Sequence, residues 1–407
     1  MSCYSPFRKI LLPTLAGVTP VARAIRLPCY VACNVDAAAT LSALKVFFVG
    51  AGSVGGRLAT HCARLGISTC WITDPKAFKG ESVLTHEMSQ PGKPKASSTA
   101  QRCKQISPGT CVYAFDGSFQ ELPLDAIAEA HLVVMATDNL PVEIAVGQQC
   151  LHWGKPLLHA SVHGETLIAH VRFFSNTDAQ GPCPACAFGP EEWAHLHRQT
   201  EFSCDGFRPA EPARTISEQP TRAASFTCAT GADLGMNQLL RFALGLGEPV
   251  LDTMIEFCGY RNLIVTSRLV RRAHCCCDHT LFTQMPLPRP LGECSPSCLL
   301  AVTGFSRSSA TFTLADFEWV EFGACACAQP APVQRFVSMS QPALGRCATC
   351  GAELHAQPFF THHSVPAQLL GQWMERPLRE VGFVRWVLVR HDGQAALFRN
   401  PNEGKES

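Results

Sequence analysis

Charge is scarce in this chain. Of its 407 residues only 16% are Asp, Glu, Lys or Arg, and 34 basic side chains stand against 33 acidic ones. A net charge of +1 supplies no global field for gripping nucleic acid or an acidic lipid surface, so neither is an expected partner. No apolar run reaches the roughly 18–20 residues a membrane span needs. A signal-peptide reading would start at Arg8 and Lys9 and run to Ala22, but Pro6, Pro13 and Pro20 interrupt it and no clean small-residue cleavage site follows. A cytoplasmic protein is expected. There is no internal repeat, and residues 1–40 lack a sustained hydrophobic period, so they read as an irregular N-terminal arm. Disorder of the whole chain is excluded, because 46% of it is apolar. The length allows two or three domains.

Cysteine is abundant instead, with 22 residues unevenly placed. Several fall in close pairs: Cys183 with Cys186, the run Cys275-Cys276-Cys277, Cys325 with Cys327, and Cys347 with Cys350. In an enzyme-sized cytoplasmic chain such pairs read as metal ligands or redox dithiols before structural disulfides.

Regular structure begins at Lys45. Residues 45–50 are a short apolar run of the kind that forms a buried parallel strand. An amphipathic helix follows to about Gly66, then a strand over 67–74, a helix over 93–104, a strand over 110–117 and a helix over 121–130. A buried strand over 131–137, a helix over 141–153 and strands within 156–174 continue the alternation. This is the spacing of an α/β chain, a Rossmann-like doubly wound sheet. Residues 175–222 are irregular, and a helix at about 223–245 and strands at 253–257 and 262–269 follow. The composition shifts near 280. The expected domains are the arm 1–40, an α/β domain 41–280 with a crossover loop at about 187–222, and a smaller α+β Cys-rich domain 281–407. In the last, 364–380 reads as helical and 382–398 as a hairpin turning at Asp392-Gly393.

Gly50, Gly52 and Gly55 sit between a buried strand and a helix. Glycines there let the backbone come close to a phosphate, and the helix start offers N–H groups and a positive dipole end. Asp74 closes the next strand, where an acid hydrogen-bonds ribose hydroxyls. This much fits NAD, FAD or ATP alike.

Gly92-Lys93-Pro94-Lys95 opening a helix, with Asp138-Asn139 after a strand, narrows the choice. Together with the glycine motif and the Cys183 pair, these residues resemble the ThiF/MoeB and ubiquitin-activating-enzyme superfamily over about residues 40–280. The resemblance implies a MgATP-dependent adenylation of the C-terminal glycine of a ubiquitin-like or sulfur-carrier protein. It implies that Lys95 contacts ATP phosphates, that Asp138 binds magnesium, and that Gly50, Gly52, Gly55, Asp74 and Asn139 complete the nucleotide site. It also implies a homodimer and allows a conjugating enzyme as a further partner, as in a bacterial ubiquitin-like conjugation system.

The departures lie between 74 and 86. Lys76 stands where the family has a second Asp, Ser82 where it has Asn, and Thr85 where it has an Arg that neutralises phosphate; His86 matches. Lys76, Lys79 or an arm arginine (Arg8, Arg23 or Arg26) is the expected substitute. Otherwise the protein is a nucleotide-binding scaffold without turnover. A nicotinamide-dependent oxidoreductase is the other reading the glycine motif and Asp74 permit.

Cys183-Pro184-Ala185-Cys186 has zinc-knuckle spacing and needs two more ligands to close a tetrahedron. The resemblance puts the second pair near Cys275–His279: Cys275 with Cys277, or a cysteine with His279. Cys347 and Cys350 form a second knuckle for zinc, with Cys325 and Cys327 as partners across a hairpin, or Cys294 and Cys298 as the competing pair. The resemblance further implies a cysteine that takes the activated protein as a thioester. Cys204, in the crossover loop, is the first candidate. Cys228 is the second, at a helix start where the dipole is expected to lower its thiol pKa.

Overall fold

A computed structural model describes residues 6–10, 37–86, 90–163, 166–193, 223–247, 250–275, 277–325, 327, 331–340 and 344–400. The chain divides into two compact units, Ser2–His279 and Thr280–Ser407.

The first unit is built on a nine-stranded sheet. Its strands are β1 (Arg8–Lys9), β2 (Lys45–Val49), β3 (Thr69–Thr73), β4 (Cys111–Phe115), β5 (Leu132–Met135), β6 (Leu157–His163), β7 (Ile168–Phe174), β8 (Thr253–Cys258) and β9 (Leu263–Arg268). They lie in the order β1-β4-β3-β2-β5-β6-β7-β8-β9. The central run β4-β3-β2-β5-β6 is parallel, and β7, β8 and β9 extend it antiparallel. The helices are α1 (Ala37–Ala43), α2 (Gly55–Arg64), α3 (Lys95–Ile106), α4 (Leu140–His152) and α5 (Ser225–Leu244).

The apolar runs explain the double layer. Alternate side chains of one strand reach opposite faces. Val46 and Phe48 of β2 pack with Leu58, Cys62 and Leu239. Their neighbours Phe47 and Val49 pack with Val133, Val146 and Phe174 on the other face. Both faces are covered, so β2 is buried throughout after Lys45. The strand order reverses between β2 and β5, and this opens a crevice above the C-terminal ends of the strands.

Residues 121–130 are not the expected helix. A single 3-10 turn at Phe119–Glu121 gives way to successive turns. Pro123 interrupts the helical ladder, and the Leu124 carbonyl accepts the Trp153 indole N–H at 2.8 Å.

The second unit holds a five-stranded sheet, a four-stranded one and α6 (Pro296–Thr303). Its strands are β10 (Phe282–Gln284), β11 (Thr311–Leu314), β12 (Phe317–Ala324), β13 (Ala331–Ser338), β14 (His355–Ala356), β15 (Thr361–His362), β16 (Val365–Pro366), β17 (Trp386–His391) and β18 (Gln394–Arg399). The hairpin expected at 382–398 is β17–β18. Asp392 and Gly393 both have positive φ, 44° and 75°, as a type I′ turn requires. The helix expected over 364–380 is instead β16 followed by 3-10 turns at Gly371–Met374 and Leu378–Glu380. Pro366, Pro377 and the positive φ of Gly371 break the ladder.

Candidate functional site

The glycine-rich loop joins β2 to α2 at the strand-order reversal. Gly50 has φ +95°, and a Cβ on it would lie 2.4 Å from the Ala136 carbonyl oxygen. A Cβ on Gly55 would meet the Gly50 oxygen at 2.1 Å. These two glycines let β2, β5 and α2 close on one another. Gly52 differs, because a Cβ there would find nothing within 4 Å. It faces open space, where a phosphate chain could approach the backbone.

Asp74 is buried and braces this loop. Its Oδ2 accepts from the Ala51 N–H and its Oδ1 from the Lys76 N–H, both at 2.8 Å. A carboxylate has about four lone-pair positions, so capacity for ribose hydroxyls remains. The segment after Asp74 pairs with the start of α3: Ala77 bridges Pro94, and the Lys95 N–H donates to the Lys76 carbonyl at 3.0 Å. That pairing holds the start of α3 next to Lys76, two residues after Asp74. Asp138, beyond β5, is exposed, and its Oδ1 lies 3.6 Å from the Lys76 Nζ. Asn139 caps α4, its Oδ1 accepting from the Val142 N–H at 3.1 Å.

A cleft of about 110 Å³ opens beside the first turn of α2. Ser53, Gly56 and Thr85 line it with Arg57, Arg64 and Arg102, and among the described residues no carboxylate does. The Thr85 hydroxyl takes a 2.7 Å hydrogen bond from Ser53. Arg8, one of the arm candidates, is bound to Asp116 and Ser97 of its own chain. Arg23 and Arg26 lie outside the described residues.

The Cys183 knuckle is a 3-10 turn packed under α4, where the Gly147 position leaves room for Pro184. The ligand atoms of Cys183, Cys186, Cys275 and His279 all lie within 4.8 Å of one another. Cys183 Sγ is 3.7 Å from Cys186 Sγ and 3.6 Å from Cys275 Sγ, and Cys186 Sγ is 3.8 Å from His279 Nε2. A Zn–S bond of about 2.3 Å sets tetrahedral edges of about 3.8 Å. The residues therefore fit zinc. Of the two expected pairings, Cys275 with His279 is the one whose ligand atoms gather here; Cys277 is buried against the same cluster. The Cys183 sulfur and burial push the Cys186 thiol up, because thiolates this close cannot all form without a cation between them. Burial holds His279 below its ordinary value, in the neutral form that ligates.

A second cluster lies in the C-terminal unit. Cys325, Cys327, Cys347 and Cys350 bring their sulfurs within 4.8 Å. Cys294 and Cys298 instead pack in that unit's main core.

The ThiF family profile matches residues 27–279. The chain belongs to the ThiF family. It is 25% identical over 253 residues to the mouse adenylyltransferase and sulfurtransferase MOCS3, covering 58% of this chain and 47% of that one. It is 24% identical over 153 residues to the SAMP-activating enzyme E1 of Haloferax volcanii, covering 35% and 53%. The chain thus spans about half the length of the curated relatives it matches. The E. coli MccB structure with ATP aligns at TM-score 0.46 and 15% identity, covering 59% of this chain and 68% of that one.

Cys204 lies outside the described residues. Cys228 is in the first turns of α5 beside Ser53 and Arg57, both of which favour its thiolate, yet burial outweighs them and the thiol pKa is raised. The expected lowering fails because the side chain is only 1% exposed. Two features escaped the sequence reading. Arg57 was not singled out, since a lone arginine on a helix has no spacing signal. Glu143 of α4, His159 and the half-buried Arg172 form a titratable group in which burial pushes Glu143 up to about 7 and His159 down to about 3. Nothing in the linear pattern brings those three together. Among the described residues no helix is long and apolar enough to cross a membrane.

Proposed function

We propose that this ThiF-family protein binds MgATP over the Gly50–Gly55 loop and adenylates the C-terminal glycine of a ubiquitin-like or sulfur-carrier protein. One observation carries the reading. Asp74, the Lys95 backbone and Asp138 each contact Lys76, beside a loop that stays open at Gly52. A carboxylate oxygen of the protein substrate attacks the α-phosphorus, the bond to the β-phosphate oxygen breaks, and pyrophosphate leaves. Lys95 bears on the developing phosphate charge. Asp138 would hold magnesium, which neutralises the leaving group. The Lys76–Asp138 pair is exposed, worth at most about 1 kcal/mol, so it opens readily for a cation. The acyl-adenylate then passes to a thiolate, with AMP as leaving group. The burial of Cys228 makes Cys204 the preferred acceptor. ATP–pyrophosphate exchange dependent on a glycine-terminated β-grasp protein tests the adenylation. No exchange with wild-type protein, despite ATP binding, supports the scaffold reading that Thr85 suggests.

The charge that Thr85 does not bring comes from Arg57 in the same cleft. Arg57 lies in the first turn of α2, where a cation meets the positive dipole end, an unfavourable placement that a bound phosphate reverses. Arg57→Ala is expected to raise the KM for ATP about 10- to 100-fold, and Thr85→Arg in that background should restore much of it. Unchanged kinetics in Arg57→Ala would remove Arg57 from this role without touching the adenylation reading.

A homodimer has a surface available to it. All six residues of β9, the edge strand, are exposed, with Leu263, Ile264 and Val265 at 45–57%. An apolar edge of this kind is usually covered. Light scattering should give twice the chain mass, and Ile264→Lys should return it to one.

A further inference from the structure

We propose that the C-terminal unit holds its own structural zinc ion, bound by Cys325, Cys327, Cys347 and Cys350, and that this ion closes its four-stranded sheet. The site is independent of the adenylation reading and lies beyond the residues that match the ThiF family.

The geometry brings two separate chain segments to one point. Cys325 and Cys327 follow directly on β12. Cys347 and Cys350 come from a tight turn over 346–353. There the Gly351 N–H donates to the Cys347 carbonyl at 2.9 Å, the Cys347 N–H donates to the Ala352 carbonyl at 2.8 Å, and Arg346 bridges Glu353. Gly351 takes φ +68°, a conformation that favours glycine. The N–H groups of Thr349 and Cys350 point at the Cys347 sulfur, as in a knuckle that presents thiolates to a cation.

The sulfur separations are 3.8 Å for Cys327–Cys347, 3.4 Å for Cys325–Cys350 and 2.9 Å for Cys325–Cys327. A disulfide needs about 2.05 Å, and all four are free thiols. Four sulfurs gathered this closely are the donor set of a tetrahedral thiolate centre. Four protein ligands leave no open coordination position, so the role is structural.

The surroundings show why an ion is needed. Apart from Cys347, the buried core here is Val320, Val337, Leu344 and Leu354. That is a small anchor for this face of β12 and β13, and a metal that binds only the folded form adds stability where apolar burial runs short. Phe317, Trp319 and Phe336 of the same two strands join Phe312, Val387 and Phe398 in a larger core, so the face that Val320 and Val337 share with the cysteines is the one with little apolar burial.

Metal analysis and native mass spectrometry of the full chain test this. Wild-type protein should carry two zinc ions. Cys347→Ser with Cys350→Ser should carry one, and proteolysis should become faster within 317–362. Cys183→Ser with Cys186→Ser should also carry one, which covers the case in which the first variant does not fold. Cobalt loaded into this second variant should give the visible d–d bands of a tetrahedral thiolate site, and iron would show as colour in the untreated protein. A metal-free Cys183→Ser/Cys186→Ser variant that is folded, or a Cys347→Ser/Cys350→Ser variant that keeps the wild-type zinc content, would overturn the proposal.

Discussion

Lys95→Ala is expected to lower ATP–pyrophosphate exchange by about 100- to 1,000-fold, the usual cost of removing one group that meets transition-state charge. The melting temperature should barely move. Lys95 is the first residue of α3, at the positive end of the helix dipole. Among the described residues no carboxylate pairs with it, and that places two like-signed fields at one helix start. A triphosphate would satisfy both. Removal leaves no partner stranded, so stability should change by no more than about 0.5 kcal/mol. Asp138→Ala should behave alike for a different reason, since its loss removes a magnesium ligand and leaves Lys76 exposed to solvent. Exchange assays beside thermal unfolding separate the two quantities. Wild-type exchange in Lys95→Ala would place the phosphates elsewhere and undo the proposed crevice.

Loss of the interior metal should be felt in folding first. Chelation, or Cys183→Ser with Cys186→Ser, is expected to lower the melting temperature by more than about 10 °C. Structural zinc binding is worth about 10–16 kcal/mol, as large as the whole stability of a typical domain, and about 2–4 °C accompany each kcal/mol in a unit of this size. The knuckle supports α4 through Pro184 against Gly147, and Asn139 caps that same helix beside Asp138. Nucleotide binding should therefore fall with the metal. The ligand set can be read separately. Cys277→Ser should keep its zinc and His279→Ala should lose it, as metal analysis of the purified variants would report. The reverse result would exchange the two residues in the site.

Much of the α/β unit was legible in the linear pattern. Continuous apolar runs such as 45–50 and 131–137 have one stable use, a strand covered on both faces, and glycines at 50, 52 and 55 mark the turn between strand and helix. The failures at 121–130 and 364–380 share a cause. Apolar content suggested helices, but prolines and carbonyls claimed by distant side chains, such as Trp153 on Leu124, decided those backbones.

Local sequence fixed what depends on near neighbours: the strands, the glycine turn, the Asp392-Gly393 hairpin and the two knuckles, whose paired thiols lie within one turn. Long-range packing chose what depends on distant partners. It selected His279 as the ligand nearest Cys186 across 93 residues, gathered Arg57 and Thr85 into one cleft, and buried Cys228 deeply enough to reverse the effect of its helix on the thiol. Burial and charge at a point in space sum over every chain segment that reaches it, and spacing along one segment carries no record of the others.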